Sequence, residues 1–198
     1  MKVNLKILEI SAFIAMIVAI VISVNDFDSK CENIENSIFR LHVIANSDSN
    51  IDQEIKLKVR DAILEKGHEL FADKNSKQQA EETVQKNLTL FRKIAEETIR
   101  KNGFDYDVTA EIGKSKFPAK TYGNTTLPAG EYDALRIILG EGKGKNWWCI
   151  MFPPLCLSAA REKVELDGIL SDGEIELVDS NPRFEMRFWI VEKIRQFK

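Results

Sequence analysis

An apolar run close to the start constrains this sequence more than any other feature. Residues 7–24 read ILEISAFIAMIVAIVISV, in which Glu9 is the one charged residue. A run of this length suits the core of a signal peptide or a short membrane anchor. Lys2 and Lys6 precede the run, and no basic residue follows it before Lys30. This charge asymmetry predicts that the rest of the chain lies outside the cytoplasm.

The end of the apolar run leaves two fates open. Val21 and Ser23 stand at positions −3 and −1 of a weak cleavage site, so the segment is either a cleaved signal or a retained anchor. The length of 198 residues suits one folded domain after such a segment. We therefore divide the chain into a signal peptide or anchor (1–24), a polar linker (25–35) and one extracytoplasmic domain (36–198).

The composition excludes several classes of function. The net charge is −3, and basic residues alternate with acids along the chain, so nothing predicts nucleic-acid binding. The two histidines belong to neither an HExxH nor a paired CxxC pattern, and no metal or other cofactor is predicted. The glycine-rich residues 140–145 lack the spacing of a phosphate-binding Walker loop, and we interpret them as a hairpin.

Hydrophobic periodicity predicts an α+β fold, with a small, mostly antiparallel sheet packed against two or three helices. Alternation predicts strands, and apolar residues at helical spacing predict helices with Ile51, Ile55 and Val59 on one buried face. The predicted strands are 38–44, 104–112, 131–139 and 146–152, and the predicted helices are about 50–66 and 76–102. The remainder is predicted as a long irregular stretch (113–130), a polar stretch with a loop near 172 (157–181), and a terminal helix or strand (184–197).

The first strand and the turn after it hold residue types found in hydrolases. The stretch is RLHVIANSDSNIDQEIKLKVR, and alternation places Arg40 and His42 on the same face of the strand. Ser49 is positioned to cap the following helix. A catalytic His42 would need Ser47 or Asp48 within hydrogen-bonding reach, and the chain has no Gly-x-Ser-x-Gly elbow. We interpret His42 as a structural residue of the turn, with a hydrolase site as the alternative.

The cysteines are interpreted in the light of export. Cys149 and Cys156 bracket IMFPPL, and outside the cytoplasm two thiols so close in sequence favour a disulfide. Pro153 and Pro154 could turn the chain back between them. Two buried, reduced cysteines are the alternative. Cys31 is left over and is expected to be exposed near the membrane.

Two adjacent tryptophans follow the glycine-rich residues. On an alternating strand, Trp147 and Trp148 face opposite sides of the sheet. One indole can therefore lie in the core while the other joins Pro153 and Pro154 in a protein-docking surface. The alternative is that both indoles belong to the core.

Three stretches together resemble one family, stage II sporulation protein R of endospore-forming bacteria. The resemblance runs from about residue 38 to 192, and NWWCIMFPPLC is its most specific string. The strings that carry it are RLHVIANSDSNIDQEIKLKVRDAI, YGNTTLPAGEYDALRIILGEGKGKNWWCIMFPPLC and FEMRFWIVE.

The resemblance implies a signalling protein with no catalytic centre, cofactor or small-molecule substrate. Such proteins are made in the forespore and exported into the space between the forespore and mother-cell membranes. There they activate a membrane-embedded aspartic protease, which cleaves the precursor of a mother-cell sigma factor. We expect the partner-binding residues to lie in the turn and in the tryptophan loop: His42, Asn46, Ser47, Asp48, Trp147, Trp148, Pro153 and Pro154. The rivals are the exported hydrolase and a membrane-tethered scaffold that needs no protease.

Overall fold

A computed structural model describes residues 5–123, 125–153, 166 and 168–179, and within them it confirms the α+β class. The helices are α1 (Leu5–Ser37), α2 (Asn50–Phe71), α3 (Lys77–Lys86), α4 (Leu88–Lys101) and α5 (Asp172–Val178). The strands are β1 (Phe39–Ile44), β2 (Val108–Phe117), β3 (Lys120–Tyr122), β4 (Thr125–Leu127), β5 (Gly130–Leu139) and β6 (Asn146–Phe152).

Four strands form one sheet in the order β2-β5-β1-β6, and β3 pairs with β4 separately. β1 runs parallel to β5, whereas β1–β6 and β2–β5 are antiparallel. The prediction of a hairpin at residues 140–145 is wrong, because β1 lies between β5 and β6. The glycine-rich residues instead carry the chain across the end of β1, where they meet the turn that follows it.

Helices α2, α3 and α4 cover one face of the sheet, as the apolar spacing predicts. Phe39, Leu41 and Val43 of β1 point into this core. The predicted long helix from 76 to 102 is in fact two helices. Asn87 separates them: its backbone has φ −112° and ψ 16°, and its side-chain amide donates to the Thr83 carbonyl at 2.8 Å, which ends α3.

The other face of the sheet is covered by the last turns of α1, by β4 and by α5. The polar linker predicted at 25–35 is a continuation of α1, although the domain boundaries themselves stay a prediction. Phe27, Cys31 and Ile34 recur at helical spacing and are all buried. The prediction that Cys31 is exposed is therefore wrong, since its side chain is 1% exposed.

The first half of α1 remains apolar and exposed. By length and composition it could cross a membrane, a test that a signal sequence near the N-terminus also passes. The 18-residue apolar window has none of its residues buried against the domain.

Two stretches predicted as irregular are more ordered than expected. Within 113–130, β2 continues to Phe117, and β3 and β4 form a short ladder. Near residue 172, α5 replaces the predicted loop, because Ser171 and Glu174 form a reciprocal capping box. The predicted terminal element at 184–197 lies outside the described residues.

Candidate functional site

Asp52 organises the turn between β1 and α2. Its side chain is only 5% exposed and accepts hydrogen bonds from Ser47 Oγ at 2.5 Å, Asn46 Nδ2 at 3.0 Å and the Tyr106 hydroxyl at 2.7 Å. The predicted cap is confirmed, because Ser49 Oγ accepts the Asp52 backbone N–H at 3.2 Å. Burial alone would raise the pKa of Asp52, but the hydrogen bonds outweigh it and the pKa is lowered.

The glycine-rich residues 140–145 lie directly on this turn. Asn46 Oδ1 accepts the Glu141 backbone N–H at 2.9 Å, and Asp48 Oδ1 accepts that of Lys145 at 2.7 Å. A side chain at position 144 would overlap the backbone carbonyl of Ser47. We call residues 45–51 and 140–146 together the turn–loop surface.

Lys56 closes the turn–loop surface from the side of α2. Its ammonium group donates to the Lys145 carbonyl at 3.0 Å and to Gln53 Oε1 at 2.5 Å. Gln53 in turn donates to the Ser47 carbonyl at 2.8 Å. Burial lowers the pKa of Lys56, while the negative charge of Asp48 acts in the opposite direction. Side chains of α2 thus hold both the turn and the loop.

The outer side of this surface carries an exposed apolar residue. Ile51 is 56% exposed, although its spacing predicts that it faces the core with Ile55. Among the described residues outside α1, it is the one exposed large hydrophobic side chain. Asp48, Ser49 and Asn50 beside it are also exposed.

His42 does not join the turn. Its Nε2 pairs with Asn146 Oδ1 at 2.9 Å, and its ring stacks on Trp148 with centroids 6.2 Å apart. Burial lowers the pKa of His42, and the nearby positive charges of Arg136 and Arg40 lower it further. The hydrogen bonds of Ser47 and Asp48 go to other groups, so the described residues do not assemble a histidine triad.

Arg40 lies beside His42 and is completely buried. Its Nη2 donates to the Tyr122 hydroxyl at 2.6 Å, and its guanidinium carbon lies 3.9 Å from the centre of the Phe117 ring and 4.7 Å from that of Tyr132. Burial lowers the pKa of Arg40. Within the described part of the chain no salt bridge to a carboxylate is found for Arg40. The groups around its charge are instead the aromatic rings, the Tyr122 hydroxyl and the Cys149 carbonyl, which accepts from Arg40 Nε at 3.4 Å.

The tryptophans occupy opposite faces of β6, as predicted. Trp147 packs toward the helices, with Arg60 4.3 Å above its ring, whereas Trp148 packs on the other side against His42. Both indoles are half-buried, so neither is a freely exposed anchor. Pro153 is buried and follows a cis peptide bond.

The pairing of the cysteines stays a prediction. Cys149 is buried on β6, whereas Cys156 and Pro154 lie outside the described residues. No group of metal-binding side chains occurs among the residues that the structure describes. A cleft of ≈ 340 Å³ lies against α3, between Asp73 and Lys86, and none of the predicted site residues lines it.

The structure therefore brings together three of the predicted residues, Asn46, Ser47 and Asp48, and separates His42 from them. Sequence reasoning missed the roles of Tyr106 and Lys56, because each makes a long-range contact: Tyr106 donates to Asp52, 54 positions away, and Lys56 donates to the carbonyl of Lys145, 89 positions away. One feature of the sequence could have indicated that Arg40 is buried: it lies on an alternating strand with apolar residues on either side.

Comparison with known proteins matches these features to one family. Residues 35–162 match the family described as stage II sporulation protein R. One relative is "Stage II sporulation protein R" of Bacillus subtilis (strain 168), 42% identical over 123 residues, which are 62% of this chain and 55% of that protein. The match thus spans a little over half of the relative's length. No solved structure matches. The chain belongs to the stage II sporulation protein R family.

Proposed function

We propose that this chain is an exported signalling protein of sporulation that activates a membrane-embedded aspartic protease. The protease then processes the precursor of a mother-cell sigma factor. Membership of the stage II sporulation protein R family carries the proposal. The exposed apolar half of α1 supports it, because such a segment fits export or anchoring in a membrane. The site of action would be the space between the forespore and mother-cell membranes.

The mechanism we propose is a shift between two states of the protease. The domain binds the extracytoplasmic face of the protease and has a higher affinity for the active state, which is the requirement for any ligand that shifts an equilibrium. No acid–base pair is needed in this chain, and its own role is recognition.

The turn–loop surface is the contact region that the geometry supports best. Asn46 and Ser47 hold the surface in shape through Asp52, while Asp48 also binds the loop. Ile51 offers an apolar contact at its edge, and Lys143 and Lys145 are exposed on the loop beside the turn. Protein-binding surfaces combine apolar contacts with polar, solvent-accessible groups, and this surface offers both. His42, Trp147, Trp148 and Pro153 would then act by supporting the sheet.

The exported hydrolase remains the alternative, and the geometry gives it little support. His42 bonds to the amide of Asn146 rather than to a serine or a carboxylate. Ser47 Oγ donates to Asp52 and Asp48 Oδ1 accepts the Lys145 backbone N–H, so neither residue serves as the nucleophile or the orienting partner of His42.

Co-expression in a host that does not sporulate tests the proposed function. The chain, the protease and the sigma-factor precursor are produced together, and precursor cleavage is followed by immunoblot. The proposal expects cleavage only when all three are present and none with an inactivated protease. Cleavage of the precursor without this chain would contradict the proposal.

A further inference from the structure

α1 passes without interruption from the apolar segment into the core of the domain. Its 33 residues, Leu5–Ser37, contain neither glycine nor proline. Ile22 is 63% exposed, whereas Phe27 is 6% exposed. At a rise of about 1.5 Å per residue, the end of the apolar run at Val24 and the first core contact at Phe27 are about 4.5 Å apart along the axis. That distance leaves no room for a flexible linker.

The second half of α1 is held by the domain from several directions. Phe27, Cys31 and Ile34 belong to the same buried cluster as Tyr132 of β5 and Leu177 of α5. A helix whose inner face is buried in this way moves only when the core opens. The segment after the membrane run is therefore part of the fold.

Polar contacts add to this packing. Glu35 Oε2 accepts the backbone N–H of Glu131 at 3.2 Å, which fixes the helix to the start of β5. Lys30 pairs with Asp26 at 2.9 Å, one turn earlier on the same helix, and supports the helix next to the apolar run.

α5 lies at the level where the apolar run ends. A cleft of ≈ 140 Å³ separates the two helices; it is lined by Ser23, Asp26, Phe27 and Lys30 of α1 and by Gly173, Glu176 and Leu177 of α5. If residues 7–24 cross a bilayer, they span about 27 Å, close to the thickness of its apolar layer. α5 then stands at the lipid headgroups.

We propose that α1 is retained as an uncleaved, rigid anchor that holds the domain against the bilayer with α5 at the lipid surface. Signal peptidases cut at sites with small residues at positions −3 and −1, and Val21 at position −3 is larger than the usual alanine. Val21 and Ser23 also lie inside an uninterrupted helix. Asp26, Asp172 and Glu176 make this end of the domain acidic, with Lys30 as a nearby base. Contact with a membrane therefore depends on the inserted helix and not on attraction to anionic lipid.

Retention is tested by the mass of the exported chain. The wild-type chain is produced in a bacterial host, purified from the membrane and soluble fractions together, and weighed by mass spectrometry. The control variant carries Ala19→Pro, Val21→Ala and Ser23→Ala, which break the helix and create a small-residue site. We expect the full mass for the wild type and a shortened control. A wild-type chain that lacks residues 1–23 would overturn retention.

Rigidity is tested in vesicles of zwitterionic lipid that carry a headgroup quencher. A fluorophore is placed on Glu176→Cys at α5 or on Lys93→Cys, which is exposed on α4 across the sheet. The unsubstituted chain, treated in parallel, gives the background labelling. We expect several-fold stronger quenching at 176 than at 93, and a flexible Gly-Ser linker inserted after Asn25 should abolish the difference. Equal quenching at both positions, or no effect of the linker, would overturn the proposal; neither assay involves the protease.

Discussion

Asp48 and Lys145 are joined by a hydrogen bond across 97 residues of chain, in which Asp48 Oδ1 accepts the Lys145 backbone N–H at 2.7 Å. This bond connects the turn after β1 to the loop before β6. Parts of two of the strings that resemble the family, ANSDSNI (45–51) and GEGKGKN (140–146), therefore form one continuous surface. Their residues serve the shape of that surface, and no catalytic group is needed to explain them.

Gly144 tests whether the loop must lie close to the turn. A Cβ at this position would overlap the carbonyl of Ser47, so Gly144→Ala should force the loop away from the turn. We expect a loss of about 1–3 kcal/mol in the free energy of unfolding, the usual cost of overpacking. The matched control is Gly113→Ala on β2, where a Cβ meets nothing within 4 Å. Equal stabilities of the two variants in urea would contradict the close packing.

His42 should make the stability of the domain depend on pH. The pKa of His42 is lowered in the fold, chiefly by burial, so the unfolded chain binds a proton more readily than the folded one. The free energy of unfolding is therefore not reduced by His42 above pH 6.5, the pKa of this residue in the unfolded chain. It decreases as the pH falls below that value. The loss cannot exceed about 1.4 kcal/mol per pH unit for one proton.

The measurement is urea unfolding between about pH 7 and about pH 5. His42→Gln should lose about 1 kcal/mol at neutral pH, because the aromatic stacking goes, and should flatten the pH dependence. His68→Gln, at an exposed position near the end of α2, is the control and should behave as the wild type. The hydrolase alternative predicts instead that His42→Gln abolishes activity in a fully folded protein.

A substitution at Ile51 should weaken recognition of the partner without changing the stability of the domain. Because its side chain is 56% exposed, Ile51→Glu should change the free energy of unfolding by less than about 0.5 kcal/mol. It should nevertheless lower precursor cleavage about tenfold or more, as expected for an apolar contact buried at an interface. Lys93→Glu, at an exposed position on α4, is the matched control and should leave cleavage unchanged. Normal cleavage with Ile51→Glu would remove this residue from the contact region.

The predicted disulfide can be tested by counting the cysteine thiols that react before and after reduction. The exported chain has three cysteines, so alkylation of the denatured, unreduced protein should modify Cys31 alone, and all three after reduction. Cys31→Ala is the control and should show no reactive thiol before reduction. Three reactive thiols in the unreduced wild type would contradict the disulfide.

Loss of the predicted disulfide should affect signalling more than export. Serine at both Cys149 and Cys156 should cost about 2 kcal/mol of stability and lower signalling. Export should persist, because the apolar segment is unchanged. Unchanged precursor processing in this variant would show that the disulfide has no role in signalling.

The sequence predicts the parts of this fold that depend on local periodicity. Phe39, Leu41 and Val43 alternate on β1, and Val84 and Phe91 recur at helical spacing; all five are buried as their spacing indicates. The cap at Ser49 is likewise a local pattern.

The remaining features depend on contacts between distant segments. The position of β1 between β5 and β6 is set by pairing across the sheet, which no local pattern reveals. Cys31 is buried because β4, β5 and α5 close over α1, and Ile51 is exposed because the core begins one turn later at Ile55. The sequence likewise identifies the turn residues, but it does not reveal that the loop at 140–146 binds them, because that contact joins distant segments.

Export dependence of precursor cleavage is the most direct test of the proposed signalling role. In the non-sporulating host, the full chain is compared with a variant that lacks residues 5–24 and stays in the cytoplasm at the same level. The account predicts cleavage with the exported chain and background cleavage with the variant. Equal cleavage with both, or none with the exported chain, would contradict activation of the protease from outside the cytoplasm.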